Sequence, residues 1–469
     1  MILMTSFRGR NPRGFLDRLL HGFSPFLAIA CLAAVRSFAQ AAPPAGAPPG
    51  DVPSLPANEA PLEPSTASGA DSTLAREALV SRVEADLQFD RLVADQEYKV
   101  ALPVGEQMVK LTEQEFGKNS VETGKAYTKL GDAQRLAKEH DAAEKSFLAA
   151  IDIFRAVDGP FSPLVITPLT DLGDNYHDAG DDLKAVSAYG DARTLNRRVY
   201  GLLNEGQIPL IDRMTAALVS LNQPVEADQQ QLEALRLVER NREPGSPEAL
   251  EAIYKYAGWL RESSRFSEER DQYSRALRII RDTYGKDDVR QVRPMRGIGN
   301  SFRMQRIPEG QGASMLHDAL ELLLAQPQRD PVALAEVLRD LGDWEIAFSK
   351  VDYDGAEYLR AWQLLGEAPN GEELRAAWFK GPIYVLREPI SQRDLSLEAN
   401  APMGHVIVRF DLDAAGRGSN VTVVESDPPG LKDEAVLRHV RRSRFRPQIV
   451  DGAITPVTGL ALQFNYRYT

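Results

Sequence analysis

Leu130-Gly131-Asp132 and Leu172-Gly173-Asp174 are one triplet written twice, 42 residues apart, and they are framed by Phe116-Gly117, Asp158-Gly159 and Tyr200-Gly201 at the same interval. From each triplet glycine, twelve residues lead to Ala143 and Ala185, sixteen to Phe147 and Tyr189, and nineteen to Ala150 and Ala192. A fixed period of this length signals a repeat architecture. The residue types explain how one repeat packs. A glycine on one helix and alanines on the next leave no bulk where two antiparallel backbones approach, and the aromatic four residues past the first alanine fills the space beside them. Each repeat is then a helical hairpin that cannot bury its apolar face alone.

The same ruler extends along the chain. Gly258, Gly299 and Gly342 continue the series at spacings of 85, 41 and 43, which leaves one repeat near Ala216 without its glycine. Leu341-Gly342-Asp343 restores the triplet, with Tyr358 and Ala361 sixteen and nineteen residues on; at Tyr273, Ala276 and Ala319 the phase slips by one. Six to seven repeats fit between about Ser72 and Gly366, and Gly371 to Lys380, with Leu374, Ala377 and Trp378 on one face, reads as a terminal capping helix. The small, aromatic and alanine positions resemble the tetratricopeptide repeat, and the 42-residue spacing is similar to its longer, kinesin-light-chain-like variety. That resemblance implies an α-solenoid whose groove takes a segment of another protein.

Composition narrows the function. The 469 residues carry a net charge of −12, and the first 41 hold five arginines against one aspartate, so the remainder is more acidic still. Such a chain is poorly suited to nucleic acid. Residues 1–41 read as a signal peptide: arginines up to Arg18, an apolar run from Phe23 to Val35, and Ala39-Gln40-Ala41 as a small-x-small cleavage site. Thirteen apolar residues fall short of the roughly 20 that span a bilayer. The lone cysteine, Cys31, lies within this segment. Residues 42–71, rich in Pro, Ala, Gly and Ser, read as an extended tether. His140, His177 and His317 have no ligand spacing, and no nucleophile motif or phosphate-cradling loop occurs, so no enzyme, metal site, cofactor or small-molecule substrate is expected.

The pattern changes after residue 382. His405 to Leu412 alternates, with Val406, Val408 and Phe410 on one face. Asp413 to Gly416 makes a polar turn and Asn420 to Glu425 a returning strand, so the pair is a hairpin. A helix from Leu431 to Arg442 has Asp433 and Glu434 in its first turn and arginines in its last. A final strand, Pro456 to Tyr468, places Leu460, Leu462, Phe464 and Tyr466 on one face. Gly404-His405-Val406, Asp413 to Arg417, Asp433-Glu434-Ala435 and Arg444-Phe445-Arg446-Pro447 stand in an order that resembles the carboxy-terminal domain of TonB proteins. Two positions depart from it: a Tyr-Pro pair is missing ahead of the first strand, where only Glu388-Pro389 stands, and Ser443 replaces a frequent tryptophan.

The expected fold is therefore mainly α: a tetratricopeptide-type solenoid over 72–382, then a small α+β domain over 383–469 with a three-stranded antiparallel sheet and one helix. The TonB resemblance implies that the last strand accepts an extended protein segment, with Val457, Gly459, Ala461, Gln463 and Asn465 facing partner or solvent. Together these features describe a periplasmic adaptor of a Gram-negative cell envelope that binds one protein in the repeat groove and another on the sheet. The alternative is an energy transducer for transport through an outer-membrane receptor, anchored by an uncleaved amino-terminal helix.

Overall fold

The computed structural model describes residues 69–348, 353–390 and 401–468, the first twelve as backbone. The expected signal peptide and nearly all of the expected tether lie outside the described residues. Fifteen helices come first: α1 Gly69–Ala94, α2 Tyr98–Phe116, α3 Val121–Leu136, α4 His140–Asp158, α5 Ile166–Ala179, α6 Asp182–Tyr200, α7 Ile208–Ser220, α8 Pro224–Arg240, α9 Leu250–Glu262, α10 Phe266–Tyr284, α11 Val292–Met304, α12 Gly312–Leu324, α13 Pro331–Phe348, α14 Ala356–Leu365 and α15 Gly371–Phe379. Seven strands and one helix follow: β1 Ile383–Leu386, β2 Met403–Leu412, β3 Gly418–Asp427, α16 Asp433–Arg442, β4 Arg444–Arg446, β5 Gln448–Val450, β6 Ala453–Thr455 and β7 Val457–Arg467. Contacts divide the described residues into two compact parts, 69–224 and 225–468.

The repeat is ruled more strictly by its caps than by its glycines. Ser120, Ser162, Asn204, Ser246, Asp288 and Asp330 recur every 42 residues. Each accepts a backbone N–H at the start of a repeat's first helix or of the 3-10 turn leading into it. Such side chains satisfy donors that a helix start leaves without a partner. Gly117, Gly159, Gly201 and Gly285 end the preceding helices with φ between 86° and 96°, where an L side chain is strained.

Eleven residues past the first five caps stand Gly131, Gly173, Thr215, Ala257 and Gly299, all small and buried. A Cβ on Gly131 would meet the Phe147 ring at 2.8 Å, and one on Gly342 the Tyr358 ring at 2.6 Å; Gly173 faces Tyr189 in the same way. Ala143, Ala150, Ala185, Ala192 and Ala361 are fully buried beside them. Gly258 does not share this environment. Nothing lies within 4 Å of where its Cβ would be, and its neighbour Ala257 is fully buried sixteen residues before Tyr273. The slip at Tyr273 and Ala276 disappears once Ala257 is counted as the small residue. A slip remains in the next hairpin, where Gly299 meets Leu316, seventeen residues on. On α15 the buried anchor is Phe379, while Ala377 is exposed.

The first hairpin inverts the pair. Phe89 occupies the small position and Gly105, sixteen residues later, the aromatic one; a Cβ on Gly105 would lie 2.7 Å from the Phe89 ring. The volume is conserved while its source moves to the other helix.

The carboxy-terminal sheet has the order β3-β2-β7, all antiparallel. Val406, Val408, Phe410, Phe464 and Tyr466 on its inner face pack against Val436 and Val440 of α16 and against Phe445. Two short ladders lie outside this sheet, β1 with β4 and β5 with β6.

The inverted pair predicts strong coupling. Phe89→Gly should cost about 3–5 kcal/mol, as large-to-small changes in a core do. Adding Gly105→Phe should return a substantial part of that loss, so a double-mutant cycle read by urea denaturation should give a coupling energy well outside additivity.

Candidate protein-interaction site

The last strand is one edge of the sheet, and among the described residues nothing pairs with its far side. From Met403↔Arg467 to Phe410↔Leu460 its register with β2 is unbroken. The β3 edge, by contrast, is interrupted twice, between the partners of Ile407 and Val408 and again between those of Arg409 and Asp411, with Asn420 at φ 50°. Bulges of this kind blunt an edge against further pairing. The remaining regular edge is therefore that of β7.

Its main-chain directions follow from one hydrogen bond. Tyr468 N–H donates to Pro402 O at 3.2 Å. Backbone groups alternate sides along an antiparallel strand, so the even-numbered residues from Leu460 onward point toward β2 and the N–H and C=O groups of Ala461, Gln463 and Asn465 point outward. Gly459 and the side chains of Ala461, Gln463 and Asn465 are exposed, and Val457 is half-buried. Gly459 belongs to a bulge: its φ is 73°, the register shifts there, and its N–H donates to Asp411 Oδ1 at 2.8 Å. The free edge thus begins after Gly459. Asp411 also accepts Asn420 Nδ2 across the hairpin at 2.7 Å, and Asp413 accepts from Ala415 N and Arg417 N within its turn.

The small domain also packs against the last repeats. Asp343 of α13, the aspartate of the third triplet, accepts Arg446 of β4 through both oxygens, at 3.0 and 2.9 Å, and Tyr358 Oη at 2.8 Å. Burial would raise this carboxyl, but Arg446 and Arg303 hold it below the usual carboxylate range. Arg446 Nη1 also donates to Trp378 O at 2.9 Å. Arg303 of α11 donates to Val385 O, and Arg306, in the turn after that helix, reaches Arg387 O at 2.8 Å and the Glu388 carboxylate at 3.2 Å. Val385 and Ile449 join Ala335, Leu338, Ile346 and Tyr358 in a single apolar cluster. The core of the last repeats therefore runs across residue 383.

Strand alternation makes β1 and β4 a two-faced ribbon. Tyr384 and Phe445, opposite each other, enter the core of the small domain, whereas Val385 and Arg446 enter that of the repeats. His439 completes the joint. Its ring is buried, with Nδ1 donating to Glu388 O and Nε2 accepting from Tyr384 Oη at 2.9 Å, the tautomer that satisfies both partners. Desolvation lowers its pKa to about 4. Ser443 Oγ accepts Glu388 N–H at 3.0 Å and donates to His439 O at 2.7 Å, so the position where tryptophan was expected serves this joint.

In the part comprising 69–224, charged residues link successive first helices. Lys129 pairs with Asp86 and Asp90, Arg135 with Asp132 and Asp178, and Arg213 with Asp174. Asp171 lies among them, and burial together with Asp132 and Asp174 raises its pKa to about 7. His177 pairs with Asp182, which raises its pKa, and His140 Nδ1 lies 2.9 Å from Asn175 Oδ1. Among the described residues no group of three or more His, Cys, Asp or Glu could hold a metal ion, and no helix is long and apolar enough to cross a membrane. Sequence reasoning missed the cap series, whose 42-residue recurrence was visible, and the docking contacts, which no local pattern announces.

Comparison with known proteins agrees at the level of segments. Residues 122–198 match the family described as tetratricopeptide repeat, and residues 398–468 the one described as Gram-negative bacterial TonB protein C-terminal. A repeat array of the first type is followed by a domain of the second. Similar solved structures include the nearly identical TPR-like repeats of a Podosopora anserina kinesin light chain: 12% identity over 45% of this chain and 99% of that one, TM-score 0.36. Another is Pseudomonas aeruginosa pilF, with 12% identity, 55% and 97% covered, and TM-score 0.31. A third is YrrB, a TPR protein with an unusual peptide-binding site, with 15% identity, 46% and 93% covered, and TM-score 0.28. At such scores the likeness carries no further argument. No curated protein matches the chain.

Two outcomes follow from the joint. Arg446→Ala strands a buried carboxylate and should cost about 3–5 kcal/mol, whereas Arg446→Met with Asp343→Leu should recover most of it. All four tryptophans lie at 259 or beyond, so urea unfolding followed by tryptophan fluorescence reads this part alone. Because the folded pKa of His439 lies below the ordinary 6.5, its contribution is complete above pH 6.5 and is lost as pH falls toward 4. Between pH 7.5 and 5 the loss should be about 2 kcal/mol. His439→Gln should flatten that part of the stability–pH curve.

Proposed function

We propose that this chain is a non-enzymatic adaptor of the periplasm, in which the repeat helices bind a segment of one protein and strand β7 pairs with an extended segment of another envelope protein. The observation that carries this reading is the regular, outward-facing edge from Leu460 to Arg467 beside a β3 edge that is twice bulged. Pairing there is β-augmentation, with main-chain hydrogen bonds supplying affinity and alternate side chains supplying selectivity. The small exposed side chain of Ala461 and the amides of Gln463 and Asn465 leave room for an incoming strand and offer it hydrogen bonds. The Gram-negative family matched by residues 398–468 supports an envelope location.

Proline at position 461 isolates the mechanism. It removes an outward N–H while keeping an extended φ, so the ladder with β2 stays intact. Using a peptide selected from a random library of extended octapeptides on the full-length chain, Ala461→Pro should weaken binding at least tenfold without lowering the melting temperature. Undiminished binding would place the pairing elsewhere.

A further inference from the structure

The segment Ile383–Glu388 lies on the repeat helices in the manner of a bound peptide. Its main-chain carbonyls at alternate residues, Val385 and Arg387, are taken by Arg303, in the last turn of α11, and by Arg306, in the turn that follows that helix. The Val385 side chain, 1% exposed, is buried in the apolar cluster to which α13, α14 and Phe379 of α15 contribute. Glu388 closes the contact by pairing with Arg306. These three elements, carbonyl capture, a pocket for one aliphatic side chain and a cation for an acid three residues later, read an extended peptide with little demand on the rest of its sequence. Arg303 is 8% exposed and its Nε has no acceptor, so the site retains donor capacity that its present occupant does not use.

We propose that the face of α11 and α13 is a peptide-binding site that the chain keeps filled with its own Ile383–Glu388, and that an extended segment with a β-branched residue three positions before a carboxylate competes for it when the Arg446–Asp343 contact opens. The inference shares with the adaptor reading only the premise that repeat helices bind protein segments, and it does not involve β7. It divides the array functionally: repeats before α11 are available to partners at all times, and the last two only after release. Arg446 is the latch because it ties β4 to Asp343 through both carboxylate oxygens, while Arg303, 3.6 Å from the same carboxylate, remains to pair with it when Arg446 leaves.

The test uses full-length protein and a fluorescent peptide with the sequence of residues 381–390. Hydrogen exchange at the β1 amides reports opening independently of binding. Arg446→Ala should raise exchange across residues 383–388 and bind the peptide at least tenfold more tightly than the parent. Adding Arg303→Gln and Arg306→Gln should abolish that gain, whereas adding Ala461→Pro should leave it unchanged, which separates this site from the sheet edge. If Arg446→Ala loses helical signal, Ile449→Ser, which weakens the same contact from β5, replaces it. Equal binding by parent and opened variant, no binding despite free exchange at β1, or β1 amides that stay protected would each overturn the proposal.

Discussion

One buried carboxylate joins the two kinds of structure in this chain. Asp343 accepts Tyr358 from its own hairpin and Arg446 from the small domain, with side-chain exposures of 4% for the aspartate and 9% for the arginine. The same arrangement occurs earlier among the repeats alone: Asp174 accepts Tyr189 from its own hairpin at 2.7 Å and Arg213 from the following helix at 3.0 Å. In the last hairpin no further repeat exists to supply the cation, and β4 supplies it instead. The small domain therefore stands where the next repeat would. It covers an apolar face that a solenoid end would otherwise expose.

Burying that pair is not a cheap way to gain stability. Charges removed from water recover their hydration only through good geometry and complete hydrogen bonding, and an apolar pair of similar volume does as well or better. What the ion pair supplies is position. A bidentate guanidinium admits one approach, and the Trp378 carbonyl and Tyr358 hydroxyl leave little freedom to rotate. The apolar cluster around Val385 and Ile449 supplies the burial, while the charged contact selects which of many greasy arrangements is adopted.

The hairpins, the sheet and α16 were legible because each rests on a short period: 42 residues for the triplets, two for the strands, and a charge gradient for the helix. Errors arose where one residue type stood in for another of like volume. Ala257 does the work assigned to Gly258, and Phe89 with Gly105 reverses the usual order, since packing reads volume at a position and not residue identity. The four short strands β1, β4, β5 and β6 are three or four residues long, too brief for alternation to be recognised. The joint itself was invisible because Asp343 and Arg446 lie 103 residues apart, and nothing local distinguishes Arg446 from the exposed arginines at the end of α16.

The joint also bears on how the sheet edge is held. Phe445 and Arg446 are consecutive, as are Tyr384 and Val385, and alternation sends one of each pair into either core. A rotation of the small domain against the last repeats would have to pull Arg446 from Asp343 or Phe445 from Phe410, because no residue separates the two anchors. A domain joined by a free linker could present its edge in any direction and would lose orientational entropy on binding. Here that entropy is already lost in folding, so a partner pairing with β7 as proposed would approach from one direction, set by the last repeats.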